Sequence, residues 1–241
     1  GYVLTFEDIT DLIQAQKLVA WSDVARKIAH EIKNPLTPIR LGAERIANSS
    51  VILSDKKLVN TSEMILKNVD DIRHLVDEFS SFSRLPGPIL ENINYLKFIH
   101  ETFNFFKTSY PDIKFDLQSS RSIKTNLKIK ADEKQIRQVI GNIIKNSSEN
   151  FQENNVLNKI ITFSSEIAQN YILFSIQDNG FGVKEANKNR ILEPYFTTKK
   201  NGTGLGLAIS KKIIEDHQGE IKIESSEKGT KVNIRFPINN Y

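Results

Sequence analysis

The most informative stretch of this chain reads His30-Glu31-Ile32-Lys33-Asn34-Pro35-Leu36. It places a histidine, a carboxylate and an amide within about one helical turn. Apolar residues recur around it at the alternating three- and four-residue spacing of a coiled-coil or bundle seam, namely Leu18, Trp21, Ala25, Ile28, Ile32, Pro35, Ile39 and Ile46, with Gly42 at the remaining position. Counting from this seam puts His30 on the opposite, solvent-exposed side, where an imidazole can meet a large partner.

A single histidine on a helix surface is most often only solvated. The stretch also differs from the zinc-protease pattern His-Glu-x-x-His, because Asn34 stands where the second histidine would be. The chain has no cysteine, and its other histidines are scattered, namely His74, His100 and His217. A zinc site is therefore not expected, and the rest of the chain must decide what His30 does.

The composition is that of an ordinary globular protein with one or two domains. The 241 residues carry a net charge of +4, and the lysines are spread along the chain, so nucleic-acid binding is not expected. No apolar run approaches the roughly 20 residues of a membrane helix. The chain begins in mid-pattern, with Tyr2, Leu4 and Phe6 alternating as in a strand. We interpret it as a fragment of a longer protein.

Two domains are predicted after a short tail. Residues 1–10 look like the last strand of a preceding domain. Residues 11–85 are predicted as a helical hairpin whose second helix carries a seam through Leu58, Ser62, Ile65, Val69, Ile72, Val76 and Phe79. One hairpin cannot bury both seams, so a dimeric four-helix bundle is expected. The stretch Leu85-Pro86-Gly87-Pro88 breaks the helix, with a linker over residues 86–91.

Residues 92–241 show a mixed α and β pattern. A helix is predicted from Ile93 to Lys107, and Asp132 with Gln135 resembles a capping box that opens a helix from Glu133 to Phe151. A hairpin is predicted over residues 160–177, and a helix over residues 205–217 is expected to stop at Gly219. The simplest architecture is a two-layer α/β sandwich.

The helix from Glu133 carries a row of amides on one face, spaced four residues apart, at Gln138, Asn142, Asn146 and Asn150. Amide oxygens are hard ligands that suit Mg²⁺, which usually keeps several waters and phosphate oxygens. The alternative, a solvated polar face, stays equally open when the row is considered alone.

Two glycine-rich stretches follow, namely Asp178-Asn179-Gly180-Phe181-Gly182 and Gly202-Thr203-Gly204-Leu205-Gly206. A carboxylate at a strand end can accept from the exocyclic amine of a purine. The second stretch opens a helix, whose free N–H groups and positive dipole end attract an anion. Residues 193–201 lie between the two and are predicted as a lid.

In this order the motifs resemble the H, N, G1, F and G2 boxes of sensor histidine kinases, whose ATP domain belongs to the gyrase/Hsp90/MutL-like ATPase superfamily. The resemblance extends from about Trp21 to Phe236, and residues 21–46 look especially like NtrY-type nitrogen-regulation sensors. It implies an α+β fold, namely a helical hairpin forming a dimeric four-helix bundle, followed by a two-layer ATP-binding sandwich. It also implies that residues 1–10 are the tail of a preceding PAS-like sensor domain. The chain would be a cytoplasmic fragment of a homodimeric protein anchored in the bacterial inner membrane through segments absent here. One departure is Ser147 where many members have alanine.

The resemblance implies ATP-dependent autophosphorylation of His30 and transfer to an aspartate in the receiver domain of a response regulator. Glu31 would orient the imidazole and take its proton. Asn146, supported by Asn142, would hold Mg²⁺, and Asp178 would bind adenine. The other predicted nucleotide-binding residues lie in the glycine-rich loops and the lid, namely Gly180, Gly182, Phe196, Lys199, Gly202, Thr203, Gly204, Leu205 and Gly206.

Two other functions have to be weighed against this one. An ATPase clamp of the gyrase or MutL kind would carry a glutamate four residues before Asn142, where this chain has Gln138. A catalytically silent dimeric scaffold would not need intact boxes. Asn34 keeps two open interpretations: it positions a water for removal of the regulator's phosphoryl group, or it merely eases the bend before Pro35.

Overall fold

The computed structural model describes residues 29, 31–48, 56–83, 86–119, 123–188, 190–199 and 202–238. The chain divides into two compact units, with the division between Leu85 and Pro86. The strand predicted over residues 1–10 lies outside the described residues. So do His30 and residues 11–28, which are the first part of the long helix predicted from about Asp11 to Asn48. No helix in the described ranges combines the length and the apolar character that crossing a membrane requires.

The first unit is a pair of helices, α1 over residues 31–47 and α2 over Lys56–Ser83. Helix α1 continues through Pro35 and Pro38. Arg40 joins the two helices, because its guanidinium donates to Glu44 at 2.9 Å and to Asp70 of α2 at 2.7 Å. The hydrogen bond that Arg40 donates to Glu44 and the negative charge of Asp70 raise the pKa of Arg40.

Each helix of this pair has a buried and an exposed apolar stripe, and both repeat every seven residues. The buried positions are Ala29, Leu36 and Ala43 on one helix and Ser62, Val69 and Val76 on the other. The exposed stripe consists of Ile32, Ile39 and Ile46 on α1 together with Leu58 and Ile72 on α2. The seam predicted through Ile32 and Ile39 is therefore not the one that the hairpin buries within a single chain.

The second unit is a mixed α/β fold. Its described helices are α3 (Tyr95–Ser109), α4 (Glu133–Glu153) and α5 (Gly206–Asp216). Its strands are β1 (Glu91–Asn94), β2 (Lys114–Ser119), β3 (Lys128–Ala131), β4 (Ile160–Ala168), β5 (Tyr171–Asp178), β6 (Glu220–Ser226) and β7 (Gly229–Pro237). Strands β1 and β3 pair with each other, and the others form a sheet in the order β2-β4-β5-β7-β6. Only the β2–β4 pairing in that sheet is parallel.

The core of this unit lies between the sheet and its helices. Residues of β4 alternate between buried and less buried positions, as expected for a sheet with one covered face. Edge-to-face contacts link Phe103 of α3 to Phe163 of β4 and Phe163 to Phe174 of β5, each with ring centroids 5.6 Å apart. The apolar side of α4 is also buried, at Ile136, Val139, Ile140, Ile143, Ile144 and Phe151. The opposite side of α4 is left for the site.

Asp132 connects the start of α4 to the end of α5. Its carboxylate accepts from the backbone N–H groups of Lys134 and Gln135, while its own N–H donates to Nε2 of the buried His217 at 2.9 Å. Burial alone would raise the pKa of Asp132, but the backbone donors, among them Ile89, hold it below the usual value. The cap therefore stabilises the fold at neutral pH, and this contribution is lost as the pH falls through that lowered pKa.

Three local predictions need correction. Helix α3 begins at Tyr95 and not at Ile93, because residues 91–94 pair with β3. The capping box is only half present, since the Gln135 side chain donates to the carbonyl oxygen of Pro86 and does not return to Asp132. The left-handed residue after α5 is Gln218, with φ of 59°, and not Gly219.

Candidate functional site

Asp178, at the end of β5, lies at the base of the site. Its carboxylate is buried and held from three sides. Oδ1 accepts from the backbone N–H of Gly180 at 2.9 Å and of Thr230 at 3.1 Å, and Oδ2 lies 2.8 Å from the Ser147 hydroxyl. A carboxylate has about four acceptor positions. These three contacts therefore fix the group and leave one position on Oδ2 for a ligand.

The loop after Asp178 is fixed at both of its ends. The Asn179 side-chain oxygen accepts a hydrogen bond from the N–H of Ile160 at the start of β4. Phe181 donates its N–H to Asn150 Oδ1 at 3.1 Å. Gly182 has a φ of +68°, and a Cβ there would lie 1.9 Å from the carbonyl oxygen of Ser226. Glycine is required at this position because the backbone passes so close to the end of β6.

Three asparagines of the amide row each contact a different segment that packs against α4. Asn150 holds the loop after Asp178, as described. Asn142 donates from Nδ2 to the carbonyl oxygen of Gly206 at 2.9 Å and to the Ser210 hydroxyl at 3.2 Å, so it holds the first turn of α5. Asn146 accepts from the Lys199 ammonium at 3.4 Å. Asn142 is thus placed to position α5, and its predicted support of nucleotide and Mg²⁺ binding stays a prediction.

The predicted lid packs closely against the second glycine stretch. Tyr195 donates its N–H to the carbonyl oxygen of Gly204 at 3.0 Å. Gly204 has a φ of +67°, and a Cβ there would lie 2.5 Å from the backbone of Tyr195. Phe196 stacks under the Arg190 guanidinium, 4.5 Å from it. The lid and the second glycine stretch therefore form one interlocked segment.

The start of α5 offers backbone donors to an anion. No side chain caps its first turn, and Leu205 donates its N–H to Thr203 Oγ1 at 3.3 Å. The N–H groups of a first turn have no acceptor within their own helix. Together with the positive end of the helix dipole they favour a phosphate group at this position.

The first unit carries the other predicted residues. Glu31 and Asn34 are both exposed on α1. They are three residues apart and therefore neighbours on the helix surface. His30, which precedes them, lies outside the described residues.

Three polar residues of the site have no role in the sequence prediction, namely Ser147, Glu149 and Thr230. Ser147 and Glu149 follow Asn146 on α4. The serine at a position where many family members have alanine could have indicated that Ser147 contributes to the site. Thr230 reaches Asp178 through its backbone N–H from the start of β7. No side-chain pattern could have revealed a backbone contact of this kind.

The residues present fit a magnesium ion shared with a nucleotide. Asn146 offers an amide oxygen, and the Glu149 carboxylate lies beside it on α4, where both contact the same lysine ammonium. Mg²⁺ binds through one or two such oxygens and completes its shell with waters and phosphate oxygens.

Two family descriptions match this chain. Residues 131–240 match the family described as histidine kinase-, DNA gyrase B-, and HSP90-like ATPase. Residues 20–88 match the His Kinase A (phospho-acceptor) domain. The first match covers α4 and both glycine stretches, and the second covers α1 and α2.

Known proteins similar to the chain carry related names. The nitrogen regulation protein NtrY of Azorhizobium caulinodans is 37% identical over 99% of the chain, which spans 31% of that protein's length. The solved catalytic domain of the histidine kinase ThkA is 32% identical, with a TM-score of 0.53, and the match covers 62% of this chain and 95% of that domain. ThkA solved in complex with the response regulator TrrA is 25% identical, with a TM-score of 0.63, over 98% of this chain and 69% of that one.

Proposed function

Because the chain belongs to the sensor histidine kinases of two-component systems, we propose that it transfers the γ-phosphoryl group of ATP to His30. The phosphoryl group then passes to an aspartate in the receiver domain of a response regulator. In this proposal residues 11–85 form the dimerisation and phosphotransfer hairpin, and residues 92–241 form the ATP-binding domain. The whole protein is anchored in the bacterial inner membrane, with this part on the cytoplasmic side, where ATP is available.

The observation that carries the proposal is the fixed carboxylate of Asp178. Its remaining acceptor position on Oδ2 suits the exocyclic amine of adenine, which is a donor. Guanine presents a carbonyl oxygen at the equivalent position and would face the carboxylate with an acceptor. A fluorescent ATP analogue bound to the protein should therefore be displaced by ATP and not by GTP. Equal displacement by both nucleotides would count against purine recognition by Asp178.

In this proposal the phosphate groups of ATP extend from the adenine at Asp178 toward the lid and the start of α5. There the first-turn N–H groups of α5 and the Lys199 ammonium supply positive charge, and Asn146 would hold the metal ion. When bound, Mg²⁺ neutralises charge on the phosphate oxygens. The chain's own contribution is therefore positioning and charge stabilisation.

The phosphoryl step follows from the residues around His30. One imidazole nitrogen forms a bond to the γ-phosphorus as the bond to the β–γ bridging oxygen breaks, and ADP leaves. The proton of the imidazole goes to the Glu31 carboxylate. In the second step the nitrogen–phosphorus bond breaks as an aspartate oxygen of the response regulator bonds to the phosphorus. The solved complex of ThkA with TrrA supports a response regulator as the partner.

We propose that a second copy of the chain covers the exposed stripe of the hairpin. The stripe is apolar and runs along both helices with the same seven-residue repeat as the buried stripe, which is the pattern of a four-helix bundle. Replacing Ile39 with glutamate removes one isoleucine from each copy. Each lost isoleucine should weaken the dimer by about 1.5 kcal/mol, so the dissociation constant of the dimer should rise by about 100-fold.

Light scattering at micromolar concentration measures this effect. Met64→Glu is the matched control, because Met64 is exposed on α2 but lies outside the stripe. We expect the unmodified chain and the control to be dimers and Ile39→Glu to be largely monomeric. A stable monomer of the unmodified chain would overturn the dimer.

We also propose that Asn34 positions a water for hydrolysis of the regulator's phospho-aspartate. It is exposed on α1 beside Glu31, and an amide can hold a water in place. Asn34→Ala should keep autophosphorylation of His30 and slow dephosphorylation of the regulator by about tenfold. The two rates are measured separately with labelled ATP and with purified phosphorylated regulator. Equal loss of both would mark Asn34 as a structural residue.

A further inference from the structure

The lid lysine is bound to two oxygen ligands of α4. The Lys199 ammonium donates to Glu149 Oε2 in a short contact and to Asn146 Oδ1 at 3.4 Å. The Lys199 and Glu149 side chains are 24% and 36% exposed, so the pair is partly shielded from solvent. Because Glu149 follows Asn146 by three residues, both side chains lie on the same face of the helix.

The side-chain oxygens of Asn146 and Glu149 together hold a positively charged group, the Lys199 ammonium. A lysine ammonium is a compact point charge that takes three acceptors, and here a carboxylate and an amide oxygen converge on it. Mg²⁺ prefers the same kind of oxygens, and it needs only one or two from the protein when phosphates supply others. No cluster of three histidine, aspartate or glutamate residues that could hold a metal exists within the described ranges, and a shared site of this kind does not require one.

We propose that Asn146 and Glu149 together form one cation site, which Lys199 fills before the nucleotide binds and a divalent cation fills afterwards. The proposal rests on the proposed ATP site and adds Glu149 to it as a metal ligand. In this proposal the displaced Lys199 ammonium binds phosphate oxygens of the nucleotide from the lid.

Charge balance explains why an exchange is needed. Before binding, the Glu149 carboxylate and the Lys199 ammonium neutralise each other. A bound nucleotide would bring several negative charges next to Glu149. Neighbouring negative charges repel each other unless a cation lies between them. A divalent cation bound to both the carboxylate and the phosphates removes that repulsion. The lysine, left without its partner, then pairs with phosphate instead.

The test uses Mn²⁺ as the probe, without nucleotide, and follows the free Mn²⁺ signal by electron paramagnetic resonance. In the unmodified protein Lys199 competes with the ion. Lys199→Gln removes the competing ammonium and should tighten Mn²⁺ binding by about fivefold. Adding Glu149→Gln to the Lys199→Gln variant should abolish this tighter Mn²⁺ binding.

The controls change the same charges elsewhere in the second unit. Lys211→Gln alters a lysine that pairs with Glu215 on the surface of α5, and Glu153→Gln alters an exposed glutamate one turn beyond Glu149 on α4. Neither should change Mn²⁺ binding. Thermal unfolding of each variant shows that the comparison is made between folded proteins.

Two outcomes would overturn the proposal. One is that Lys199→Gln binds Mn²⁺ no more tightly than the unmodified protein, and the other is that the tighter binding survives Glu149→Gln. Binding of a fluorescent ATP analogue is measured in parallel. A failure of ATP to bind would reject the proposed function, whereas the Mn²⁺ titrations decide the cation site on their own.

Discussion

Asp178→Asn is expected to weaken ATP binding by about 100-fold and to leave the protein folded. The amide oxygen of asparagine takes the place of Oδ1, because two backbone N–H groups, of Gly180 and Thr230, point at that position. The amide nitrogen then replaces Oδ2 and can donate to the Ser147 hydroxyl. Folding contacts are preserved, but a donor now faces the donor amine of adenine. The loss therefore falls on nucleotide recognition.

Displacement of a fluorescent ATP analogue measures this change, and thermal unfolding measures the fold. Asp116→Asn is the matched control, since it makes the same chemical change on β2, where Asp116 pairs with Lys114 at 3.4 Å. ATP affinity should be unchanged in the control. If Asp178→Asn binds ATP as tightly as the parent, the carboxylate does not recognise the base.

Asn146→Ala is expected to reduce autophosphorylation by about 100-fold or more. The side chain's hydrogen bond is the long contact to Lys199, so its removal takes little from the fold. Alanine is also a better helix former than asparagine. The effect should therefore appear as lost dependence on Mg²⁺ and not as lost stability. The initial rate of labelling is measured over a range of Mg²⁺ concentrations.

Asn104→Ala provides the comparison, because Asn104 is an exposed asparagine on α3. It should label at the parental rate. Asn142→Ala is informative in another way, since it cuts the hydrogen bonds to Gly206 and Ser210. That variant should lower both nucleotide affinity and thermal stability. Unchanged, Mg²⁺-dependent labelling of Asn146→Ala would show that the metal is held elsewhere.

Much of the fold could be predicted from local patterns. The predicted fold class, a helical hairpin followed by an α/β sandwich, is confirmed by the two family matches and the ThkA catalytic domain. Helix α4 was predictable because a capping aspartate at residue 132 precedes a continuous apolar face. Strand β1 was not, because three of its four residues are polar, none is buried, and the strand is defined by its pairing with β3.

Periodicity alone could not assign the seams of the hairpin. The stripe through Ile32 and Ile39 and the stripe through Leu36 and Ala43 share the same seven-residue repeat. The three- and four-residue spacing placed the first stripe in the predicted seam, but the single hairpin buries the second, which includes two small alanines. Small residues allow two helices to approach closely, whereas the bulkier isoleucines of α1 stay exposed.

The site residues that form short sequence motifs could be predicted. The contacts that depend on how the sheet and its helices pack could not. The glycine stretches, Asp178 and the asparagine row could be named from their order. The contacts to Asp178 from Ser147 and Thr230 arise because α4 and β7 meet beside β5, far apart in sequence. The pairing of Lys199 with Glu149 likewise requires the lid to lie over α4.

The most direct test of histidine kinase activity is to incubate the protein with Mg²⁺ and γ-labelled ATP and to locate the label. We expect a phosphoryl group on His30 that is labile in acid and stable in alkali, and no labelling of His30→Gln. Labelling of His30→Gln as strong as that of the parent would contradict this expectation.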